Sequence, residues 1–371
     1  MDGPRHRLWR IRAKQIVTAT GAIERPLSFA GNDIPGVMLA ASMRDYLVNW
    51  GVVSGQKTVL VTNNDDGYRT AIALKGAGLD VPVVVDARAE ANGTLPMKAR
   101  EMGIRIETGK AIAKVKGGKR VTGVEICLME GEGGAREEIK CDAVAMSGGW
   151  SPVVHLWSHC GGKLNWNADQ AWFAPDPARP PLGDNGEGFV ICSGIASGAL
   201  DTPDVLTNAH NAGKAAAIAA GFTATRKAAP KATATAEEAM APVWIMPKKA
   251  THAQRAKSWL DFQNDVKVSD VQLAAREGYE SVEHTKRYTT LGMATDQGKL
   301  SNINGLAILA DALGKEIPQV GTTTFRPPYH PISMGAIGGE ARGETFQPLR
   351  RTPMHAWHEE QGAYMEPVGN W

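Results

Sequence analysis

The sequence predicts an α/β protein: part of a Rossmann-like dinucleotide-binding fold, then a small helix-rich module and an extended C-terminal segment. Three observations carry this prediction. A strand–helix–strand unit of suitable length spans Lys57 to Asp86. Residues Thr223 to Pro242 are rich in Ala, Thr, Lys and Pro and lack apolar periodicity, as a solvated linker does. Beyond them, two short helical stretches start at cap-type residues, Ser269 and Ser281.

Taken in order, the basic stretch Arg5 to Lys14 leads into a short apolar strand, Gln15 to Thr20, that ends in a glycine turn at Gly21. Pro26, Gly31-Asn32-Asp33 and Pro35-Gly36 mark irregular loop. Met38 to Trp50 reads as a helix stopped at Gly51. The central unit comprises strand Thr58 to Val61, helix Tyr68 to Lys75 closed by Gly76, and strand Val81 to Val85 ending at Asp86. Further strands are expected at Ile104 to Ile106, Ala111 to Lys116, Thr122 to Met129 and Cys141 to Met146. With a hairpin turn at Gly131 to Gly134, they form a small meander feeding a last buried strand. Gly188 to Cys192 is another apolar strand, followed by Ser193-Gly194 and the alanine-rich helix Thr207 to Ala220. After the linker, Ser269-Asp270-Val271-Gln272 reads as a capping box opening a helix that stops at Gly278, and Ser281 caps a second helix, Val282 to Thr289. Gly321 to Trp371, dense in Pro, Gly and aromatics, reads as an extended, docked strap.

A length of 371 residues implies two or three domains. The formal charge of +2 gives no strong global field, so neither nucleic acid nor a membrane is an expected partner. Four cysteines without a C-x-x-C pair or a disulfide framework suit a reducing cytoplasm. No apolar run approaches the roughly 18 residues that span a bilayer, and residues 1–6 open no signal-peptide core. The expectation is a soluble, cytoplasmic protein.

Matching G-x-G-x-x-G to the turn after the strand that begins at Thr58 puts its glycine positions at Thr62, Asn64 and Gly67, of which only the third is glycine. That third glycine serves helix–strand packing, whereas the first two let the backbone turn and approach a pyrophosphate. Asp65 and Asp66 lie beside the helix N-terminus, where they would repel a pyrophosphate. Asp86 occupies the acidic ribose-binding position. The reading is a Rossmann-type half that keeps its architecture and binds no nucleotide.

Thr20-Gly21-Ala22-Ile23-Glu24-Arg25-Pro26 is a strand end and polar loop that lets backbone pass close to a nucleotide. Together with Asn32-Asp33-Ile34-Pro35-Gly36-Val37 it resembles the Ala-Thr-Gly loop of FAD/NAD(P) reductases with two dinucleotide domains, in particular the alpha (large) subunit family of heterotetrameric sarcosine oxidases. Met146 to Pro152 resembles the return motif of the second half, and Ser193-Gly194 the segment that brings the chain back to the first cofactor. The resemblance implies a partial reductase-like domain over 1–222, with its second Rossmann-like half at about 55–145, and a linker over 223–250. It places the first glycine-rich fingerprint upstream of Met1. It also implies an NAD site in the complete subunit, with Thr20, Gly21, Ala22, Glu24, Arg25, Ser193 and Gly194 as this chain's cofactor-binding residues.

Asp261 to Asn264 and Gly292 to Lys299 resemble a bacterioferritin-associated-ferredoxin-like module, here 251–312. The module contains no cysteine, so thiolate ligands for a [2Fe–2S] cluster are lacking and a cluster-free structural role is expected. His155 with His159, and His355 with His358, have helical spacings that could serve a metal, but no third ligand is placed and no metal site is assigned. No G-x-S-x-G elbow supports nucleophilic catalysis. Thr322 to Tyr329 and Arg351 to His358 resemble the entry to a folate-binding aminomethyltransferase-like domain, assigned to 313–371, whose tetrahydrofolate site would lie outside this sequence.

The resemblance implies a complex that demethylates sarcosine oxidatively to glycine, passing electrons to oxygen and a one-carbon unit to tetrahydrofolate. Beta, gamma and delta subunits would be the partners. FMN or FAD would reside in a partner or at the interface, so no residue here is assigned a catalytic role, and the isolated chain is expected to be inactive. The alternatives are a scaffold with vestigial nucleotide sites and a subunit of a related opine or amine oxidase.

Overall fold

The computed structural model describes residues 6–223, 227–339, 341, 343–345 and 348–371. Residues 1–5 of the opening stretch, 224–226 of the expected linker, and 340, 342, 346 and 347 of the expected strap lie outside the described residues. Two compact units emerge: Lys14–Pro327, and a smaller one made of Met1–Ala13 with Pro328–Trp371.

The larger unit begins with β1 (Ile16–Thr18) and, past the turn at Gly21, β2 (Ala22–Glu24). Next come β3 (Val37–Leu39) and α1 (Ala40–Trp50), which ends where Gly51 adopts φ +64°. The strand takes Met38 and Leu39, which were expected in the helix, because both pair with a central strand described below. β4 (Thr58–Thr62), α2 (Asp66–Gly76) and β5 (Val84–Asp86) form the strand–helix–strand unit. Val81 and Val83 are buried but stay out of β5. Pro82 lies between them and has no N–H to give a ladder. α3 (Thr94–Glu101) and β6 (Ile106–Thr108) follow, then the antiparallel meander β7 (Lys110–Gly117), β8 (Val121–Leu128) and β9 (Glu137–Ile139), and then β10 (Ala143–Ser147).

A five-stranded parallel sheet of order β3-β10-β4-β5-β6 is the frame of this unit. Strands β4 and β10 are buried throughout, as apolar runs in a sheet covered on both faces must be. Their side chains alternate between two cores. Val59, Val61, Val144 and Met146 meet the meander through Ile112, Val124 and Ile126, while Leu60, Ala143 and Ala145 meet α1–α3 through Met43, Tyr68, Leu74 and Leu95. Gly67 performs the packing role expected of it. A Cβ there would sit 2.6 Å from Thr62 Oγ1 and 3.3 Å from Leu60 Cδ2. Gly67→Ala is therefore expected to lower unfolding free energy by about 1–3 kcal/mol, through overpacking at this helix–strand contact, read as a shift in urea midpoint.

After β10 the chain passes through β11 (Trp150–Pro152), α4 (His155–His159), the hairpin β12 (Leu164–Asn167) and β13 (Trp172–Pro175), and β14 (Val190–Cys192). α5 (Thr202–Ala219) starts five residues before the helix expected from the sequence, because Asp201 caps it by accepting the Asp204 N–H at 2.8 Å and a proline occupies its first turn.

The helical module contains α6 (His252–Arg255), β15 (Trp259–Asp261), β16 (Val266–Lys267), α7 (Val268–Arg276), α8 (Val282–Thr289) and α9 (Asn302–Leu313). The expected Ser269–Gln272 capping box does not form. The fully buried Val268 already belongs to the helix, and the Lys267 N–H donates to Asp270 Oδ2 at 2.9 Å. Ser281 does precede α8, through its carbonyl rather than its hydroxyl. α9 escaped the sequence reading: Leu306 to Ala310 are all buried, so it shows no polar face to mark its period. The expected docked strap remains with this unit through Pro327, where Thr323 is buried and the Thr324 N–H donates to Glu283 Oε1 at 2.7 Å. Among the described residues of the smaller unit the chain forms the short helices α10 (Met334–Gly338) and α11 (His355–Glu360) and a 3-10 turn at Gly343–Thr345, rather than continuous extended structure.

Candidate functional site

Strands β1 and β14 pair in parallel, with Ile16 opposite Val190 and Thr18 opposite Cys192. Their carboxyl ends therefore release two turns side by side, Thr20-Gly21 and Ser193-Gly194, tied by the Ser193 N–H donating to Thr18 O at 3.0 Å. Gly21 has φ +73° and open space where a Cβ would stand; Gly194 has φ +64° and only Val205 within 4 Å of that point. Both conformations favour glycine; Gly21 leaves main chain approachable, whereas Ser193 and Gly194 are buried beside it. Thr20 Oγ1 donates to Val153 O at 2.7 Å and the Val153 N–H to Gly21 O at 2.9 Å, while Ala22 pairs with Pro152. Gly194 donates its N–H to Asn208 Oδ1 on α5 at 2.7 Å. In open α/β sheets a ligand occupies this kind of crevice beyond the strand ends.

Glu24 and Arg25 lie apart from that edge. Both are about 3% exposed, and their side chains reach toward the five-stranded sheet. Glu24 Oε2 accepts the Ala41 N–H of α1 at 2.8 Å. Burial pushes its carboxyl up from 4.5 to about 7, against the lowering effect of hydrogen bonds from Ser147 and Ala41. A carboxyl raised in the folded state binds a proton there that the unfolded chain releases, so its contribution is complete below about pH 4.5 and is lost as pH rises through about 7. Glu24→Gln is expected to flatten that decline and to gain on the order of 2 kcal/mol over the parent at pH 8, measured by urea unfolding across pH 4–8. Arg25 donates to Gly148 O at 3.2 Å, to Gln170 O at 3.2 Å and to Ala171 O, and its guanidinium lies over the Trp244 ring at 5.8 Å. Burial lowers its pKa from 12.5 to about 9. The seven residues singled out from sequence thus fall into two groups: the half-buried Thr20, Gly21 and Ala22 with the buried Ser193 and Gly194 at the strand ends, and Glu24 with Arg25 in the layer behind them.

The second half is closed by its own side chains. Thr62 Oγ1 donates to Asn64 O at 2.9 Å, and Asn64 Nδ2 to Ser147 O at 3.2 Å. Asp65 and Asp86, both fully buried, each ion-pair with Arg88 at 2.8 Å, and Tyr68 donates its hydroxyl to Asp86 at 2.7 Å. Asp66 pairs with Arg44 at 3.1 Å and Arg69 at 3.3 Å. The repulsion expected from Asp65 and Asp66 is corrected by these pairs: the carboxylates are compensated, and Asp86, expected at a ribose, is occupied by Arg88 and Tyr68. The expected solvated linker is likewise corrected over residues 237–241, where Glu237 pairs with Arg69 and the Ala241 N–H donates to Asn63 O at 3.1 Å.

In the helical module, Asp261 draws two loops together. Its Oδ1 accepts the N–H groups of Gln263 at 2.9 Å and Asn264 at 3.0 Å; its Oδ2 accepts the Gly292 N–H at 2.7 Å. Gln263 Oε1 accepts the Asp296 N–H at 3.0 Å. His155 packs its ring 4.1 Å from that of Phe325, and burial lowers it to about 4, so it is neutral at pH 7. His355 lies 3.3 Å from Glu359 along α11. Among the described residues no group of three or more His, Cys, Asp or Glu side chains could hold a metal ion. Cys127, Cys141 and Cys192 are buried thiols and Cys160 is exposed. Among the described residues no helix is long and apolar enough to cross a membrane.

The family model of the sarcosine oxidase A3 domain matches residues 255–341. Over 99% of its length the chain is 41% identical to the sarcosine oxidase alpha subunit of Rhizobium meliloti (strain 1021). Along its whole length the chain is a relative of the sarcosine oxidase alpha subunit. It spans 35% of that protein, and 39% of the sarcosine oxidase alpha subunit of Corynebacterium sp. (strain P-1), to which it is 38% identical over all of this chain. An opine oxidase subunit from Rhizobium meliloti (strain 1021) is 23% identical over 90% of this chain and 77% of its own. Among solved structures, L-proline dehydrogenase from P. horikoshii superposes with a TM-score of 0.64 at 20% identity, covering 88% of this chain and 58% of that one. That likeness is one of fold, and it agrees with the α/β Rossmann-type architecture and helical C-terminal part expected from the sequence.

Proposed function

We propose that the chain is part of the alpha subunit of a sarcosine oxidase-type complex, an oxidoreductase that converts sarcosine to glycine with oxygen as electron acceptor and tetrahydrofolate as one-carbon acceptor. The observation that carries this reading is the pair of glycine turns at the β1 and β14 ends, in a chain related throughout to sarcosine oxidase alpha subunits. In this reading Thr20, Gly21, Ala22, Ser193 and Gly194 are the chain's share of an NAD pocket. The open position above Gly21 fits such a group, with the buried Gly194 turn beside it. Glu24 and Arg25 support the pocket from behind, by fixing α1 and the Gly148 turn. A bound NAD supplies a nicotinamide able to take up a hydride. The chain's own residues bind and orient, and amine oxidation belongs to a flavin held by a partner.

The companions in this reading are beta, gamma and delta subunits in the cytoplasm. The division into a reductase-like part to 222, a cluster-free module from 251 to 312 and the start of a folate domain belongs to the same proposal, while the connection between the first two is docked on the sheet over 237–241. Co-expression with those subunits tests it: the expected result is a copurifying, flavin-containing complex that consumes oxygen when given sarcosine. A chain that captures no companion subunit would sink the reading. Within the complex, Gly21→Val places a branched side chain at φ +73°, a cost of about 1–2 kcal/mol. Dinucleotide affinity is expected to fall about tenfold, while the subunits still assemble. Turnover of an opine instead of sarcosine would favour the opine oxidase alternative, which the 77% coverage of the opine oxidase relative supports.

A further inference from the structure

The carboxyl edge of an open parallel sheet is where α/β folds ordinarily take a small ligand. Across this edge of the five-stranded sheet lies the chain's own segment Glu237–Ala241, in contact with the turns that follow β5, β4 and β10. Beside β5, the Glu238 carboxylate accepts the Asn92 N–H at 3.0 Å and lies 3.9 Å from Arg88. Gly93 makes room for it, since a Cβ there would meet Glu238 Cγ at 2.9 Å. At the end of β4, the Glu238 N–H donates to Asp65 Oδ2 at 2.9 Å. Asn63 then grips one residue at both ends, accepting the Ala241 N–H at 3.1 Å and donating Nδ2 to Ala241 O at 2.7 Å. Beside β10, Met240 Sδ accepts from Arg25 at 3.3 Å, against the Gly148-Gly149 turn.

This is recognition of a peptide rather than of a phosphate. Asp65 accepts an N–H, which a phosphate does not offer, and Asn63 reads an N–H and a C=O of the same residue. Arg88, the cation nearest the ribose position, is already committed to Asp65 and Asp86. We propose that the degenerate half of the dinucleotide fold is a peptide-binding cleft whose ligand is the chain's own acidic segment, Glu237–Ala241, seated where a dinucleotide would otherwise lie. Apart from Arg25 and the Gly148-Gly149 turn, the groups that hold the segment belong to this half, and none of them is among the open glycine turns of the oxidase reading, so the cleft stands or falls independently of it.

The test replaces residues 236–241 of the full chain with alternating Gly and Ser and follows amide hydrogen exchange by mass spectrometry. Protection at 88–93 is expected to fall about tenfold or more, the loss of about 1.4 kcal/mol, while the β7–β9 meander stays unchanged. A synthetic peptide of residues 236–242, added near the millimolar effective concentration of a tethered segment, is expected to restore that protection. ADP-ribose is not. Should the replacement variant fail to fold, the double variant Glu238→Gln, Met240→Ser gives the same readout with a smaller loss. Unchanged protection in the variant that folds, or restoration by ADP-ribose instead of the peptide, would overturn the proposal.

Discussion

Arg88→Ala is expected to cost about 3–5 kcal/mol of unfolding free energy, because it strands two carboxylates, Asp65 and Asp86, that are fully buried and share this one guanidinium. The urea midpoint of the full chain measures it. The size of the effect comes from what is left behind, since a buried pair contributes less than the penalty of breaking it. A triple variant, Arg88→Leu with Asp65→Asn and Asp86→Asn, is therefore expected to recover much of the loss. If the single variant unfolds at the parent's midpoint, these ion pairs do not hold this half closed.

Asp261→Ala is expected to cost about 3 kcal/mol, since three backbone N–H groups lose one shared acceptor at a residue that is 4% exposed. The damage should stay local to the loops at 261–264 and 292–299, which become early sites of proteolysis while the five-stranded sheet persists. Asp261→Asn keeps one oxygen acceptor and is expected to lose roughly half as much. Equal midpoints for parent and Ala variant would show that the loops are held by something other than this carboxylate.

Much of the frame was legible in the sequence because its signals are local. The apolar run of β4, the terminating Gly51 and the surviving Gly67 each act on neighbours within a few residues, and the structure uses them as expected. Elements whose cause is distant were not legible. Nothing near Glu238 announces that Asp65, 173 residues earlier, will accept its N–H. Arg25 gave no hint of its role because the oxygens it meets are main-chain carbonyls, which any residue carries. α9 was hidden by the unbroken buried run Asn304 to Ala310, and the start of α7 by a valine that the core needs more than Ser269 needs a cap. At the open edge, the Thr20-Gly21 and Ser193-Gly194 turns stand out as glycine punctuation, but only the β1–β14 register makes them neighbours.

The seating of Glu237–Ala241 also orders events during synthesis. Asn63 and Asn92 leave the ribosome well over a hundred residues before the partners they grip, as the separations of 178 and 146 residues show. At rates of about 5–20 residues per second, the nascent sheet edge spends on the order of ten seconds facing water with its N–H and carboxylate groups hydrated. During that interval the edge is uncovered, and the growing chain later closes it with its own backbone.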